Sequence, residues 1–156
     1  MQIAAAEASL RTRSSGVTRS RPAMSVVFAD AFYFVARLNR RDQHHERVVK
    51  FSRDFRARLL TTDWVLMEVA DALAESECRG RVREFILHLR GTAACEIVPA
   101  TREGLDRALD LYHQHTDKGW TLTDCVSFVI MRERNVTDAL TGDKHFEQAG
   151  FSALLK

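Results

Sequence analysis

The chain has 156 residues, of which 46% are apolar and 28% charged, with a formal net charge of +2, values typical of one soluble globular domain. Residues 1–23 carry the positive excess, so residues 24–156 hold 19 basic and 20 acidic side chains, and bulk charge does not indicate nucleic-acid binding. Three widely spaced cysteines without a C-x-x-C pair argue against a disulfide framework or zinc site and favour a reducing cytoplasm. No apolar run approaches the ~18 residues of a membrane span.

Residues 1–23 contain arginines but no apolar stretch, so they do not indicate a secretory signal. Their Ser, Gly and Pro content is typical of disorder. Met24 stands directly before the first apolar run. We therefore expect residues 1–23 to be a flexible arm or a wrongly assigned start, and residues 24–156 to form the folded domain.

Short apolar segments then alternate with segments of helical periodicity. Four segments are predicted as strands because they are short, apolar and partly β-branched, at 26–30, 59–62, 96–98 and 137–141. Helices are predicted at about 32–38, 43–57, 64–78, 82–89, 102–115, 122–134 and 144–149. Asp42, Asp63 and Thr101 stand where helix N-caps are needed. This order predicts an α/β fold, a three-layer α/β/α sandwich with a short central parallel sheet.

Four acids stand at positions where a carboxylate is unfavourable unless something neutralises it. Asp30 ends the first strand and Asp143 follows the last one. Asp124 lies in the opening turn of an apolar helix, and Glu68 interrupts the apolar run of another, on what we expect to be a buried face. Ligands of α/β folds bind beyond the carboxyl ends of the strands, and hard divalent cations bind oxygen ligands. The sequence therefore predicts a metal site at that edge of the sheet.

Each acid also has a local explanation. Asp30 and Asp143 stand where helix caps or turns occur, and the Thr-x-x-Asp pattern ending at Asp124 is related to a capping box. Glu68 has Arg79 as a possible ion-pair partner along the chain. Four such acids in one small domain exceed what capping requires, so we interpret them as one site.

Other polar residues are weaker candidates. Asp71, three residues after the helical glutamate, is a candidate supporting group on a neighbouring helical face. His44 and His45 are expected on a solvated face, and His145 as a structural residue or a substrate contact. Cys125 is expected in the core. The sequence contains no Gly-rich phosphate loop.

These motifs resemble the PIN-domain ribonucleases, and more narrowly the VapC-like toxins of bacterial toxin–antitoxin pairs, over about 24–156. The family has an Asp ending its first strand, a Glu in the helix after a Thr-rich strand and a third acid opening a helix. Its fourth acid lies in a T-x-D-x-H-F block followed by A-G-F. The matching residues here are Asp30, Glu68, Asp124 and Asp143. The final block, 141–146 with 149–151, is the most specific part of the match.

The resemblance implies an endoribonuclease that depends on Mg²⁺ or Mn²⁺ and acts as a toxin. Asp30, Asp124 and Asp143 would be metal ligands, and Glu68 would ligate or orient a second ion or the attacking water. Thr141 is expected to support Asp143 through a hydroxyl hydrogen bond. The implied partners are an RNA substrate, a second copy of the chain and a cognate antitoxin, whose arginine would enter the acidic pocket.

The chain departs from the family at one place. A small hydroxyl residue and another small polar residue usually follow the first Asp, where this sequence has Ala31 and Phe32. One alternative is therefore a non-catalytic PIN-fold module that binds RNA or protein. A second alternative, of a different class, is a receiver-like phosphoacceptor domain with an acidic Mg²⁺ pocket, for which Lys144 is the only nearby candidate lysine.

Overall fold

The computed structural model describes residues 25–74 and 77–156. The expectations for residues 1–23 and for a start at Met24 lie outside the described residues. Within the described ranges, strands and helices alternate along the chain, as the sequence predicts.

Five parallel strands form one sheet in the order β3-β2-β1-β4-β5. The central strand β1 (Val26–Ala29) pairs with β2 (Arg58–Thr62) on one side and with β4 (Asp138–Leu140) on the other. The edges are β3 (Cys95–Val98) and β5 (Ser152–Ala153). The chain builds outward from β1 to β3 before it returns to β4 on the other side of β1. The carboxyl ends of β1 and β4 therefore flank the crevice where α/β folds bind ligands.

The helices flank this sheet and give the three-layer α/β/α arrangement that the alternation predicts. Their bounds are α1 (Ala31–Leu38), α2 (His45–Asp54), α3 (Asp63–Ala72), α4 (Arg79–Gly91), α5 (Arg102–Gln114), α6 (Leu122–Glu133) and α7 (Lys144–Gln148). Among the described residues, none of these helices has the length and hydropathy needed to span a bilayer.

An aromatic cluster joins the sheet to the last two helices. Phe28 of β1, Phe128 of α6 and Phe146 of α7 are fully buried. The Phe146 ring lies 6.1 Å from that of Phe28 and 5.0 Å from that of Phe128, the second pair edge to face, a favourable geometry for aromatic pairs. This packing fixes the N-terminal ends of α6 and α7, where Asp124 and Asp143 stand.

The short edge strand β5 was not predicted. Its two residues follow Phe151 and contain a serine, so the sequence has no apolar alternating run there. Two backbone bonds dock it on β4, from Ser152 N to the Thr137 carbonyl and from Leu154 N to the Ala139 carbonyl, both 2.9 Å. Pairing with an existing strand, rather than local propensity, creates this element.

Two of the predicted N-caps are wrong by one or two residues. The predicted cap Asp42 accepts a bond from His44 N at 2.8 Å, and His44 is the residue at the N-cap of α2. For α3, the Thr62 hydroxyl accepts from Val65 N at 3.1 Å, and Asp63 is already helical. Asp42 instead forms the preceding turn, a common role of aspartate.

The helix predicted over 64–78 is also shorter than expected. It ends at Ala72, and α4 begins at Arg79 with Cys78 at its N-cap. Leu73 leaves the helical backbone conformation with φ −110° and ψ 12° and is buried. Packing of this leucine into the core ends a segment whose composition alone favours a longer helix.

Candidate active site

The four predicted acids lie around the crevice between β1 and β4. Asp30 directly follows β1, Asp143 follows β4, Asp124 lies in the first turn of α6, and Glu68 lies in α3. The Asp30 carboxyl interacts electrostatically with those of Glu68 and Asp124. The Glu68 carboxyl in turn interacts with those of Asp124 and Asp143. The structure thus brings all four acids to one edge of the sheet.

Asp30 is one of the two buried acids of this group, with 8% of its surface exposed, against 9% for Asp124. Asp30 occupies the N-cap position of α1, and within the described ranges its side chain forms no N-capping hydrogen bond, although an interaction with the backbone N–H of Ala31 opposes the rise in its pKa. Its Oδ2 instead accepts a hydrogen bond from the Thr141 hydroxyl at 2.9 Å. Burial raises the pKa of Asp30 from 3.8 to about 7, and the charges of Glu68 and Asp124 add to this rise. Capping therefore does not explain Asp30.

Thr141 holds the two strand ends together. The register that pairs Ala29 with Leu140 brings Thr141 beside Asp30. The buried Thr141 hydroxyl donates to Asp30 and accepts from the backbone N–H of Asp143 at 3.0 Å. The prediction that Thr141 supports Asp143 through a hydroxyl hydrogen bond is confirmed at the Asp143 backbone, and the same hydroxyl also contacts the Asp30 carboxylate. The bond opposes the rise in the pKa of Asp30.

Asp124 has both a capping role and a place in the cluster. Its Oδ2 accepts from Thr121 N at 2.8 Å, while the Thr121 hydroxyl accepts from Asp124 N at 3.0 Å, which completes a capping box. The same Oδ2 lies 3.1 Å from Nδ1 of His145. Both contacts fall on Oδ2, so Oδ1 receives no hydrogen bond from the described residues. Asp124 is therefore fixed in place by capping and still offers an oxygen to a ligand.

His145 lies between two of the acids. Its Nδ1 is 3.1 Å from Asp124 Oδ2 and 3.4 Å from Asp143 Oδ2, and its backbone N–H donates to Asp143 Oδ1 at 2.8 Å. Because ionised carboxylates only accept hydrogen bonds, Nδ1 carries the proton in this arrangement. One ligand atom from each of the three side chains lies within 4.8 Å of the others. We expected His145 to be a structural residue or a substrate contact, and its contacts with both acids were missed. The sequence signal for them was its position two residues after Asp143.

The placement of Glu68 on a buried face is wrong. The residue is exposed, at the edge of the apolar stripe of α3. Its carboxyl end is nevertheless shielded in part, and this loss of hydration raises its pKa, as does the charge of Asp124, while a hydrogen bond from Thr123 opposes the rise. Arg79 donates to the Ala74 carbonyl at 3.5 Å, so the ion pair considered for Glu68 does not account for it.

Two minor candidates behave as the sequence indicates. Cys125 is fully buried, and burial raises the pKa of its thiol to about 11, so the thiol is a core group. Asp71 is exposed, and its charge contributes to the raised pKa of Glu68. Asp71 thus lies near the site without joining the cluster.

The two adjacent histidines are not on a solvated face, contrary to expectation. His45 Nδ1 lies 2.7 Å from the Ala36 carbonyl of α1. The His44 ring packs 4.8 Å from the ring of Phe32. Both histidines are half-buried because the N-terminal end of α2 packs on α1.

Phe32, in the position that departs from the family, packs against the loop after β4. A Cβ on Gly142 would lie 2.8 Å from Phe32 Cζ, so the ring and the glycine fit each other closely. The hydroxyl that the family places after its first Asp is missing here. The hydroxyl that contacts Asp30 in this chain is that of Thr141, directly after β4.

The donor set fits a hard divalent cation. In residues 25–74 and 77–156, no Lys or Arg forms an ion pair with any of the four acids, and His145 is the basic partner of Asp124 and Asp143. A divalent cation would relieve the mutual repulsion of the carboxylates and the loss of hydration at Asp30. Carboxylate oxygens suit Mg²⁺ and Mn²⁺ better than imidazole does, which favours the acids over His145 as ligands.

Comparisons with known proteins agree with this architecture. The profile of the PIN domain matches residues 27–152, which include all four acids. The 23S rRNA-specific endonuclease VapC20, from two strains of Mycobacterium tuberculosis, is 22% identical over 126 residues, covering 81% of this chain and 95% of that protein. The crystal structure of Mycobacterium tuberculosis VapC20, described as a sarcin-ricin loop cleaving toxin, aligns with a TM-score of 0.75 and 22% identity, covering 85% and 100% of the two chains. The receiver-like alternative is set aside, and the chain belongs to the PIN domain family.

Proposed function

We propose that this protein is a metal-dependent endoribonuclease and acts as the toxin of a toxin–antitoxin pair. The main support is that four carboxyl groups lie together around the crevice between β1 and β4. Among the described residues, no Lys or Arg forms an ion pair with them. The distant similarity to the rRNA-cleaving toxin VapC20 supports RNA as the substrate class.

Asp30, Asp124 and Asp143 are the proposed ligands of Mg²⁺ or Mn²⁺, and Glu68 is proposed to ligate or orient a second ion or the attacking water. A bound ion would supply the Lewis acidity needed to activate a water and to stabilise the leaving 3′ oxygen of the cleaved phosphodiester. Asp30, whose pKa is about 7 without metal, would have to be deprotonated to act as a ligand.

The neighbouring polar groups position these carboxylates. Thr141 holds Asp30 through its hydroxyl, and His145 holds Asp124 and Asp143 through Nδ1. Such outer contacts fix ligand orientation and raise metal affinity. The carboxylates are therefore prearranged before an ion or an RNA phosphate enters.

The proposed partners follow from the same site. We infer that the protein forms a homodimer and is inhibited by a cognate antitoxin, whose arginine would pair with the carboxylates and compete with metal. Its three widely spaced cysteines are buried, and we propose that the protein works in a reducing cytoplasm.

The alternative of a non-catalytic binding module rests on the Ala31–Phe32 segment. Phe32 packs on Gly142, next to the loop that carries Asp143, so this substitution alters the rim of the crevice. A module of this kind would bind RNA or protein without cleaving it.

Purified protein incubated with total RNA separates these possibilities. We expect cleavage with Mg²⁺ or Mn²⁺ and none with EDTA, and we expect Asp30→Asn to abolish it. Asp138→Asn removes the same charge from the opposite end of β4 and serves as the matched control. Intact RNA in the presence of metal would support the binding module instead. Expression without the antitoxin should slow growth, and Asp30→Asn should relieve the effect.

A further inference from the structure

A second recess opens beside the acidic crevice, where α5 ends and α6 begins. It has a volume of about 190 Å³. None of its lining residues is acidic, in contrast to the crevice, and three of them carry aromatic rings. They are Tyr112, His115, Thr116, Lys118, Trp120 and Cys125.

The recess and the crevice share a wall. Cys125 lines the recess and directly follows Asp124, so consecutive residues of α6 serve the two sites. Gly119 lies on the crevice side, since a Cβ on this residue would be 3.8 Å from Nε2 of His145. The recess therefore lies beside the part of the crevice that contains His145.

The inner wall of the recess is held rigidly. The buried Trp120 ring stacks on His115 with a centroid distance of 4.8 Å and an interplanar angle of 29°. Its other neighbours are Phe128, edge to face at 5.0 Å, and Gln148, whose Oε1 accepts from the indole Nε1 at 3.2 Å. Because these contacts fix the ring, the wall is formed before any ligand binds.

The mouth of the recess combines an aromatic face with polar groups. Tyr112 is 50% exposed although it is large and apolar over most of its surface. His115 Nδ1 lies 3.1 Å from the Leu111 carbonyl and carries a proton there, because a carbonyl only accepts, which leaves Nε2 as an acceptor. Lys118 adds an exposed ammonium, which pairs with Asp117 at 2.9 Å.

We propose that this recess binds a nucleobase of a single-stranded RNA, next to the phosphodiester held at the acidic crevice. The base stacks on Tyr112 and His115, and Lys118 approaches the adjoining phosphate. Aromatic faces hold any base, whereas hydrogen bonds to base edges select among bases. The recess would therefore contribute to the choice of cleavage position. This inference rests on the proposed function, because it assigns a subsite for the RNA substrate.

Fluorescence of Trp120 tests the inference without cleavage. The chain has two tryptophans, so Trp64→Phe in the full-length protein leaves Trp120 as the only indole. This variant is titrated in EDTA with RNA pentamers of A, C, G or U. We expect at least one pentamer to quench Trp120. Tyr112→Ala should weaken that binding about 5- to 100-fold, the range for losing one stacked base.

Leu109→Ala is the matched control, because Leu109 lies one turn earlier on α5 and is 44% exposed. The Leu109→Ala variant should bind the pentamer with the same affinity as the Trp64→Phe protein. Absence of quenching by all four pentamers, or equal binding by the Tyr112→Ala and Leu109→Ala variants, would overturn the inference. Cleavage of total RNA with Mg²⁺ separates the two proposals. Cleavage without quenching would reject base binding at the recess but not the proposed nuclease function. Quenching without cleavage would support base binding and reject the proposed nuclease function.

Discussion

The two ends of the central strands differ in how their acids are balanced. At the carboxyl ends of β1 and β4, Asp30 and Asp143 join two further acids, with His145 as their basic neighbour. At the amino ends, a groove of about 760 Å³ contains acids and bases together. Its charged lining residues are Arg47, Lys50, Asp54, Arg56 and Asp138.

This difference separates acids that have basic neighbours from acids that have no Lys or Arg partner among the described residues. Asp138 lies among basic side chains and is only partly buried. Asp30 is buried among other acids, and its pKa rises to about 7. A carboxylate in such surroundings destabilises the metal-free fold. Active sites often retain groups of this kind at a cost in stability.

The largest expected effect is on RNA cleavage. Asp30→Asn removes a proposed ligand and should lower the cleavage rate on the order of a hundredfold or more, beyond the loss typical of outer-shell changes. Asp138→Asn, at the other end of the sheet, should change it less than about twofold. Gel assays of RNA fragments over time measure both. Equal rates for the two variants would remove the functional distinction between the strand ends.

The second prediction concerns stability against pH in EDTA. The Asp30 carboxyl has a pKa near 3.8 when unfolded and about 7 when folded. Between these values the folded state keeps a proton that the unfolded state loses. The free energy of unfolding should therefore fall as pH rises from about 4 to about 8, on the order of 2–4 kcal/mol, and should change no further through this group at higher pH.

Urea titrations at several pH values measure this slope. Asp30→Asn should flatten it and should make the metal-free protein more stable than wild type at pH 8. Asp138→Asn should keep the wild-type slope. Parallel curves for wild type and Asp30→Asn would show that burial does not penalise the Asp30 charge.

The third prediction concerns the hydroxyl that supports the carboxyl end of the sheet. Thr141→Val removes the donor to Asp30 and the acceptor for Asp143 N. It should lower stability by about 1–3 kcal/mol and cleavage by about 10- to 100-fold. Thr141→Ser keeps the hydroxyl and should retain most of the activity. Similar losses in both variants would point to the methyl group rather than the hydroxyl.

The smallest effect expected at the carboxyl end of the sheet comes from a steric clash at Gly142. Gly142→Ala places a Cβ 2.8 Å from Phe32 Cζ and 3.1 Å from the Leu155 carbonyl oxygen, which should cost about 1–3 kcal/mol of stability. Gly91→Ala is the control, because no atom lies within 4 Å of its added Cβ. Thermal unfolding measures both. An unchanged midpoint for Gly142→Ala would show that the Phe32 ring moves aside freely.

Sequence reasoning predicted the features that depend on local pattern. Short apolar runs identified the four longer strands, and strand ends identified Asp30 and Asp143 as neighbours, which the Thr141 hydroxyl joins. The two-residue strand β5 was missed, because its pairing with β4 is a tertiary interaction. The exposure of Glu68 was missed because periodicity alone did not show which edge of α3 faces the crevice.

The polar contacts of the site could be predicted less well. The bond from Thr141 to Asp30 joins residues 111 positions apart, and it depends on the pairing register of β1 and β4. The place of His145 between Asp124 and Asp143 depends on how α6 and α7 pack together. Sequence spacing identifies such residues as neighbours of a motif but does not give their partners.

The central claim is that the acids at the carboxyl ends hold a divalent cation. Binding of Mn²⁺ to the full-length protein, followed by electron paramagnetic resonance of the free ion at pH 7.5, tests it most directly. We expect wild type and Asp138→Asn to bind Mn²⁺ with equal affinity, and Asp30→Asn to bind it at least on the order of a hundredfold more weakly, beyond the loss expected for a group that only supports a ligand. Equal binding by wild type and Asp30→Asn, or no binding by wild type, would contradict the claim.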